Sequence, residues 1–374
     1  LRTLAIAAIA VLLIAPQSVV HPSFQMSFAA TLALIATYER GLPWMASANT
    51  SRAARVAMWG GREIVTLVLA SLVAGLATTP YAAYHFHRIA PYGVLANLLA
   101  MPIVSIWVMP AGLLALLAAP FGFDGPLWSL MGQGLDWMIA VAMFVAGLPG
   151  AVGRMAAFGT GPLLLVTGGL VVLCLLKSPL RFAGGLLVVG ACLWAIATPQ
   201  PDVLISPDGQ VIAVRGADGR LSIKRTGRDA FAAKEWLAAD GDARTPDDKT
   251  LDRGFRCDAL GCIAKLADGR LVSVATSADA FEEDCRNAAL VVTARNAPPA
   301  CAAMIVDRNT VHARGAMALK RNGEGWEITA ARPAGEDRPW VRAIGTAQET
   351  ATPAARQAQP RDATPRTEDL EAGD

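Results

Sequence analysis

The chain has 374 residues, of which 53% are hydrophobic and only 17% charged, with a formal net charge of +2. Soluble globular chains sit near a quarter charged, so the composition excludes a wholly soluble protein. The average hides a division: up to Thr198 nine Lys and Arg meet four Asp and Glu, while the rest of the chain holds 24 cations and 27 anions. A membrane part followed by a soluble part is expected, which also suits a prior of ~150 residues per domain.

The chain opens at Leu1, and residues 1–20 are apolar. A secretory signal needs a basic start and a small-residue cleavage site. Arg2 alone and Ala15-Pro16-Gln17 supply neither, so the sequence reads as starting inside a larger protein. Seven stretches approach the roughly 20 residues needed to span a bilayer as a helix. They are 3–20, 23–39, 63–84, 93–118, 127–148, 160–176 and 182–198, each bounded by charge, Pro or Gly.

Lys and Arg concentrate on the cytoplasmic side of membrane proteins. With the start cytoplasmic and all seven stretches spanning, Arg2, Arg40, Arg52, Arg55, Arg62, Lys177 and Arg181 share that side, and only Arg88 and Arg154 face the other. The region after Thr198 is then periplasmic. The parity depends on 23–39, which either spans or lies in the interface.

The second stretch begins HPSFQMSFAATLALI, with His21, Ser23, Gln25 and Ser27 in its first turns. At about 100° per residue, Ser23 and Ser27 share a face and Gln25 lies opposite. Stretch 63–84 ends near Tyr81, Tyr84, His85 and His87, read either as an interfacial belt or as the lining of a cavity. Stretch 93–118 contains Asn97, Pro102, Ser105 and Pro110, and its two prolines are expected to free carbonyls and kink the helix. Gln133 and Asp136 sit in 127–148; Asp136 either faces a cavity or is wet at a helix end. Together these features favour a polyhelical channel or transporter over a tether.

HPSFQMSFAATLALI resembles the Phe-Gln-Leu-Ser-Phe segment of the ComEC competence family, with Met26 in place of Leu. ANLLAMPIVSIWVMPAGLLALLAAPFG is similar to that family's Asn-Leu-Leu-x-x-Pro segment and its second proline, and TTPYAAYHFHRIAPYGVLANLL to the approach to that Asn. The resemblance covers about residues 1–198. It implies a multi-pass inner-membrane channel for single-stranded DNA during natural transformation, working with other competence proteins in membrane lipid, either alone or as a homo-oligomer. It marks Phe24, Gln25, Ser27, Asn97, Pro102 and Pro110 as pore or motif positions.

Residues 199–346 read as a small β-rich α/β domain. Alternating runs joined by Asp-Gly turns, such as VLISPDGQVIAVRGADGRLSIKR and CIAKLADGRLVSVAT, signal hairpins. Helices are expected at 228–240 and 277–285, capped by Ser or Asp. In ComEC relatives this position holds a metallo-β-lactamase-like module, which requires a histidine-rich ligand set for two metals. After Thr198 the sequence has one histidine, His312, read as a surface or packing residue. The resemblance therefore implies a degenerate, metal-free domain, with no nuclease activity of this kind and no cofactor.

Cys174 and Cys192 fall in membrane stretches, while Cys257, Cys262, Cys285 and Cys301 fall in the soluble part. Four cysteines allow three pairings. Cys257–Cys262 would close a tight loop and Cys285–Cys301 would bridge a helix end to a strand, in keeping with an oxidising periplasm. A four-thiolate zinc site is the alternative, although zinc ribbons favour pairs two residues apart. Residues 347–374, rich in Ala, Thr, Pro and charge, are expected to be disordered. No phosphate-binding loop is present, so ATP hydrolysis is not expected of this chain.

Three readings remain: a DNA-uptake channel, a transporter of another polymer or of lipid-linked material, and a membrane-anchored partner-binding protein.

Overall fold

The computed structural model describes residues 1–40, 52–227, 229–323 and 325–333, without the side chains of 52–63. The expected disordered tail, 347–374, lies outside the described residues. The chain divides into two compact units, one of Leu1–Gln200 with Ala230–Asp248, the other of Pro201–Asp229 with Lys249–Asp374. The segment Ala230–Asp248, read from sequence as part of the soluble domain, thus belongs to the helical unit.

The first unit is built from α1 (Arg2–Ile14), α2 (Pro22–Glu39), α3 (Arg52–Phe86), α4 (Gly93–Ile103), α5 (Met109–Ala118), α6 (Gly125–Ala146), α7 (Thr160–Leu175), α8 (Arg181–Ile196) and α9 (Phe231–Ala239). Among the described residues, three helical stretches are long and apolar enough to cross a membrane: Ile64–Phe86, Gly93–Phe121 and Gly125–Ala146. The expected count of about seven is therefore not met on length alone. α7 and α8 have 16 residues each, about 24 Å of helix against a core of roughly 30 Å. The first stretch is broken at Ala15, where α1 gives way to a 3-10 turn over Pro16–Val20. Large apolar side chains such as Ile106, Leu164 and Leu186 point outward and are exposed, as lipid-facing positions require.

The helices pack through small residues. Ala33 and Ala36 of α2, Ala77 of α3 and Cys174 of α7 form one buried cluster; small side chains let helix backbones approach where water supplies no hydrophobic drive. α7 and α8 meet closely at Gly169 and Gly184, where an added Cβ on Gly184 would lie 2.5 Å from the Gly169 carbonyl oxygen.

Contacts also sort the helix ends. Arg40, just past α2, donates to the carbonyls of Leu173 (2.6 Å), Cys174 (3.1 Å) and Leu176 (3.4 Å). A cation there satisfies the open carbonyls at the C-terminus of α7 and complements its dipole. Leu1 lies beside Glu39, so Arg2, Arg40, Lys177 and Arg181 gather at one end. At the opposite end β1 (Arg88–Ile89) pairs antiparallel with β2 (Gly153–Arg154), and Tyr92 donates to the Pro149 carbonyl at 3.1 Å. These are the Arg40 end and the Arg88 end below.

Pro102 and Pro110 do not break their helix. Between them Val104–Val108 forms a π-helical stretch, so α4 and α5 continue one another. The wider turn accommodates the hydrogen bonds the prolines remove. It also swings Trp107 toward α6, where its Nε1 donates to the Leu130 carbonyl at 2.8 Å and its ring meets Trp137 edge-on. Gly134 leaves the room, since a Cβ there would lie within 2.9 Å of Val108 and Trp107.

The second unit is a β-sandwich. One sheet contains β3 (Val203–Ile205), β4 (Val211–Arg215), β5 (Leu221–Arg225), β11 (Met317–Asn322) and β12 (Gly325–Ala330), in the order β12-β11-β3-β4-β5. The other contains β6 (Phe255–Cys257), β7 (Gly261–Lys265), β8 (Leu271–Ala275), β9 (Leu290–Val292) and β10 (Met304–Val306), in the order β10-β9-β8-β7-β6, with β8, β9 and β10 parallel. Between them lies one core that includes Val203, Ile205, Leu319, Val272, Leu290 and Val306, all at 0% exposure. α10 (Phe281–Asn287) covers the outer face of the second sheet through Phe281 and Cys285.

The Asp-Gly turns are alike. Asp208, Asp218 and Asp268 each accept from the amide two residues on, and the following Gly209, Gly219 and Gly269 take positive φ. This is the left-handed conformation that only glycine adopts without strain. Cap expectations fared unevenly. Ser277 caps the 3-10 turn Ala278–Ala280 that leads into α10, whereas α9 has Ala230 at its N-cap and no side-chain cap. A further helix, α11 (Arg308–Arg314), capped by Asp307, was not expected from sequence and carries His312 on its exposed side. Cys257–Cys262 and Cys285–Cys301 are disulfide-bonded. The first links partner positions of β6 and β7, and the second ties α10 to the strand-leading segment before β10.

Candidate functional site

Helical geometry sends Gln25 inward and Ser23 and Ser27 outward, because the two serines are one turn apart and Gln25 lies opposite. Ser23, Ser27 and Thr31 accordingly form an exposed stripe on α2. Gln25 is half-buried. Its Nε2 donates to the Val19 carbonyl at 2.9 Å, and its Oε1 lies 2.8 Å from His85 Nε2. With the amide fixed in this sense, His85 is the donor and carries its proton on Nε2. The pair ties the start of α2 to the end of α3.

Two further aromatics of α3 turn into the bundle. Tyr81 is buried and its hydroxyl meets Thr167 Oγ1 of α7 at 3.1 Å; the Tyr84 ring stands edge-on to Phe158 at 5.6 Å. Tyr81, Tyr84 and His85 thus face the inside of the bundle. The reason is register: positions 81, 84 and 85 share one helix face, and that face is the one packed on α2 and α7. Thr167 gave no signal in the sequence, since a threonine in an apolar run commonly bonds its own helix, as this one also does to the Leu163 carbonyl.

These side chains border a cavity of about 1070 Å³ lined by α1, α2, α3 and α7. Its walls run along α7 from Thr160 to Leu175, about 22 Å of helix rise. Toward the Arg88 end the lining carries Gln25, Tyr81, Tyr84, His85 and Thr167; toward the Arg40 end it is apolar apart from Arg2. A molecule held here meets hydrogen-bonding groups in one half and hydrocarbon in the other.

Of the expected motif residues, Phe24 and Gln25 line this cavity, and the Phe24 ring stacks on Phe28 at 4.3 Å. Ser27, Asn97, Pro102 and Pro110 are exposed on the surface of the unit and do not join them. Asp136, midway along α6, is exposed as well. Among the described residues no three His, Cys, Asp or Glu side chains converge as metal ligands.

The family model described as Competence protein matches residues 1–180. No curated protein and no solved structure matches the chain.

Proposed function

We propose, from the premise that residues 1–180 belong to the competence-protein family, that this chain conducts single-stranded DNA across the inner membrane during natural transformation. A role in competence follows from the family; the conducting role, the seven spans and the periplasmic second unit are our reading. The observation that carries it is the family match over 1–180, which contains both the Gln25 and the Asn97 segments. The sorting of cations supports the orientation: Arg2, Arg40, Lys177 and Arg181 lie at one end, as the positive-inside tendency requires of a cytoplasmic face. The second unit then lies in the periplasm, where its two disulfides are stable. It acts without a two-metal hydrolytic centre, since His312 is the one histidine after Thr198. Other competence proteins supply the drive.

Deleting the gene and following labelled DNA tests this reading. Transformation falls to background and label stays outside the cytoplasm; normal uptake in the deletion strain overturns it. The long apolar half of the cavity favours one second reading, export or flipping of a lipid-linked substrate. An envelope defect with undiminished DNA uptake would establish that instead.

A further inference from the structure

We propose that the cavity at the Arg88 end of the first unit clamps the phosphodiester backbone of single-stranded DNA between the facing arginines Arg88 and Arg154, a site that rests on the DNA-uptake reading. Up to Thr198 the chain carries nine Lys and Arg, and seven of them group toward the Arg40 end in the charge bias of the sequence. The structure sets the remaining two directly opposite each other, with Arg88 paired to Arg154 across β1 and β2.

Directly opposed like charges on an antiparallel pair repel. A ribbon of two-residue strands has little stability of its own to offset that. The arrangement makes physical sense if an anion sits between the guanidinium groups, whose fork of N–H donors matches phosphate oxygens. The surroundings agree. Of the acids before Pro199, none is at this end: Glu39, Glu63 and Asp124 fall toward the other, and Asp136 is midway along α6; the segment Ala230–Asp248 of the same unit brings two carboxylates here, Glu235 in the lining and Asp242 against Arg244.

The cavity measures about 750 Å³, and its lining carries the cations Arg88, Arg154, Lys234 and Arg244 and the imidazoles of His85 and His87, with Glu235 as the one carboxylate. Arg244 is held by Asp242 at 2.6 Å, and Arg154 also donates to the Asp242 carbonyl at 2.8 Å, which fixes its direction. Arg88 and Lys234 are exposed. His87 takes a φ of 55°, unusual for a residue with a Cβ, and its Nδ1 is buried without a partner among the described residues. Strained residues and unsatisfied polar atoms gather where a ligand completes the site. Phe86, half-exposed beside His87 in the same lining, offers a ring on which an unpaired base can stack. A positive groove with an aromatic platform is how single strands are held without sequence preference. A lipid headgroup would use the same phosphate chemistry but has no need of the ring.

The test uses the full chain in neutral-lipid nanodiscs and a fluorescent oligothymidylate, with anisotropy read across a salt series. Arg88→Gln weakens binding about tenfold and lowers the salt slope by roughly 0.7, the share of one phosphate contact on a single strand. Arg88→Lys restores most of the affinity, and Lys177→Gln, at the opposite end, changes nothing. An oligonucleotide with an uncharged methylphosphonate backbone does not distinguish wild type from Arg88→Gln. Equal affinity and slope for wild type and Arg88→Gln overturn the clamp. So does retention of phosphatidylglycerol, lost in Arg88→Gln while DNA binding is unchanged, which would make the occupant a lipid headgroup. Uptake assays separate the two levels: loss of uptake on deletion with normal uptake in Arg88→Gln sinks the clamp alone, whereas normal uptake on deletion sinks the reading beneath it.

Discussion

Replacing Gly184 by Ala places a methyl group 2.5 Å from the Gly169 carbonyl oxygen, 2.6 Å from the Leu173 amide nitrogen and 3.1 Å from the Leu173 Cα. All three are backbone atoms, so no rotamer change relieves the contact. Ordinary contact begins near 3.4 Å, so α7 and α8 must part by about 0.9 Å. Overpacking of this kind costs about 1–3 kcal/mol. Gly185 sits next in sequence, and a Cβ there meets nothing within 4 Å. Both substitutions gain the same helix propensity, up to about 1 kcal/mol, so their difference isolates the helix contact. Cys174, buried on α7 against α2 and α3, reports opening of the bundle, while Cys192 is exposed and is first changed to serine. Heating in detergent with a thiol-reactive dye then gives a melting curve for the bundle. The Gly184→Ala midpoint falls by several degrees and that of Gly185→Ala stays or rises. Gly169→Ala against Gly168→Ala repeats the contrast, since a Cβ on Gly169 would lie 2.8 Å from the Gly184 carbonyl oxygen and one on Gly168 would meet nothing within 4 Å. Equal midpoints for Gly184→Ala and Gly185→Ala would refute backbone contact as the cause of this packing.

Arg40→Gln removes the cation that three carbonyls at the end of α7 share; the same dye melt should show a loss of about 1 kcal/mol, moderated by the exposure of the side chain. A double-mutant cycle on Gln25→Leu and His85→Phe should give a coupling of about 1 kcal/mol, and additivity would mean that the 2.8 Å contact contributes nothing. Replacing Cys285 and Cys301 by Ala opens a loop of sequence separation 16; calorimetry of the second unit's transition should record a loss of about 3 kcal/mol, or roughly 10 °C. The amides of Gly261 and Leu260 hold the Asp258 carboxylate below its ordinary pKa. A depressed folded pKa contributes stability above the unfolded value, about 3.9, and loses it as pH falls through the folded one. Acid denaturation curves of Asp258→Asn should therefore lack that part of the slope, and superimposable curves would dismiss it.

Much of this architecture is legible in the amino-acid sequence. Apolar runs flanked by charge marked the helices because a backbone in hydrocarbon has to bond to itself. Asp-Gly pairs marked the hairpins because the second residue must take a left-handed φ, and Gly209, Gly219 and Gly269 do. The spacing of Ser23, Gln25 and Ser27 already put Gln25 on a different face from the serines. What each face meets was not legible. Nothing in the spacing of 81, 84 and 85 distinguishes a wet interface from a packed one, and Thr167 looks like any threonine in an apolar helix.

The sequence by itself determined where the apolar helical stretches fall, which way its turns fold and which half can carry charge, since each depends on local side-chain chemistry. Only the tertiary structure decided that Gln25 meets His85, that α7 and α8 touch backbone to backbone at Gly169 and Gly184, and that Arg88 stands opposite Arg154. Such pairings join residues up to 66 positions apart. They are fixed by which helix faces fit together in three dimensions, a property of the whole bundle that no short stretch of chain contains.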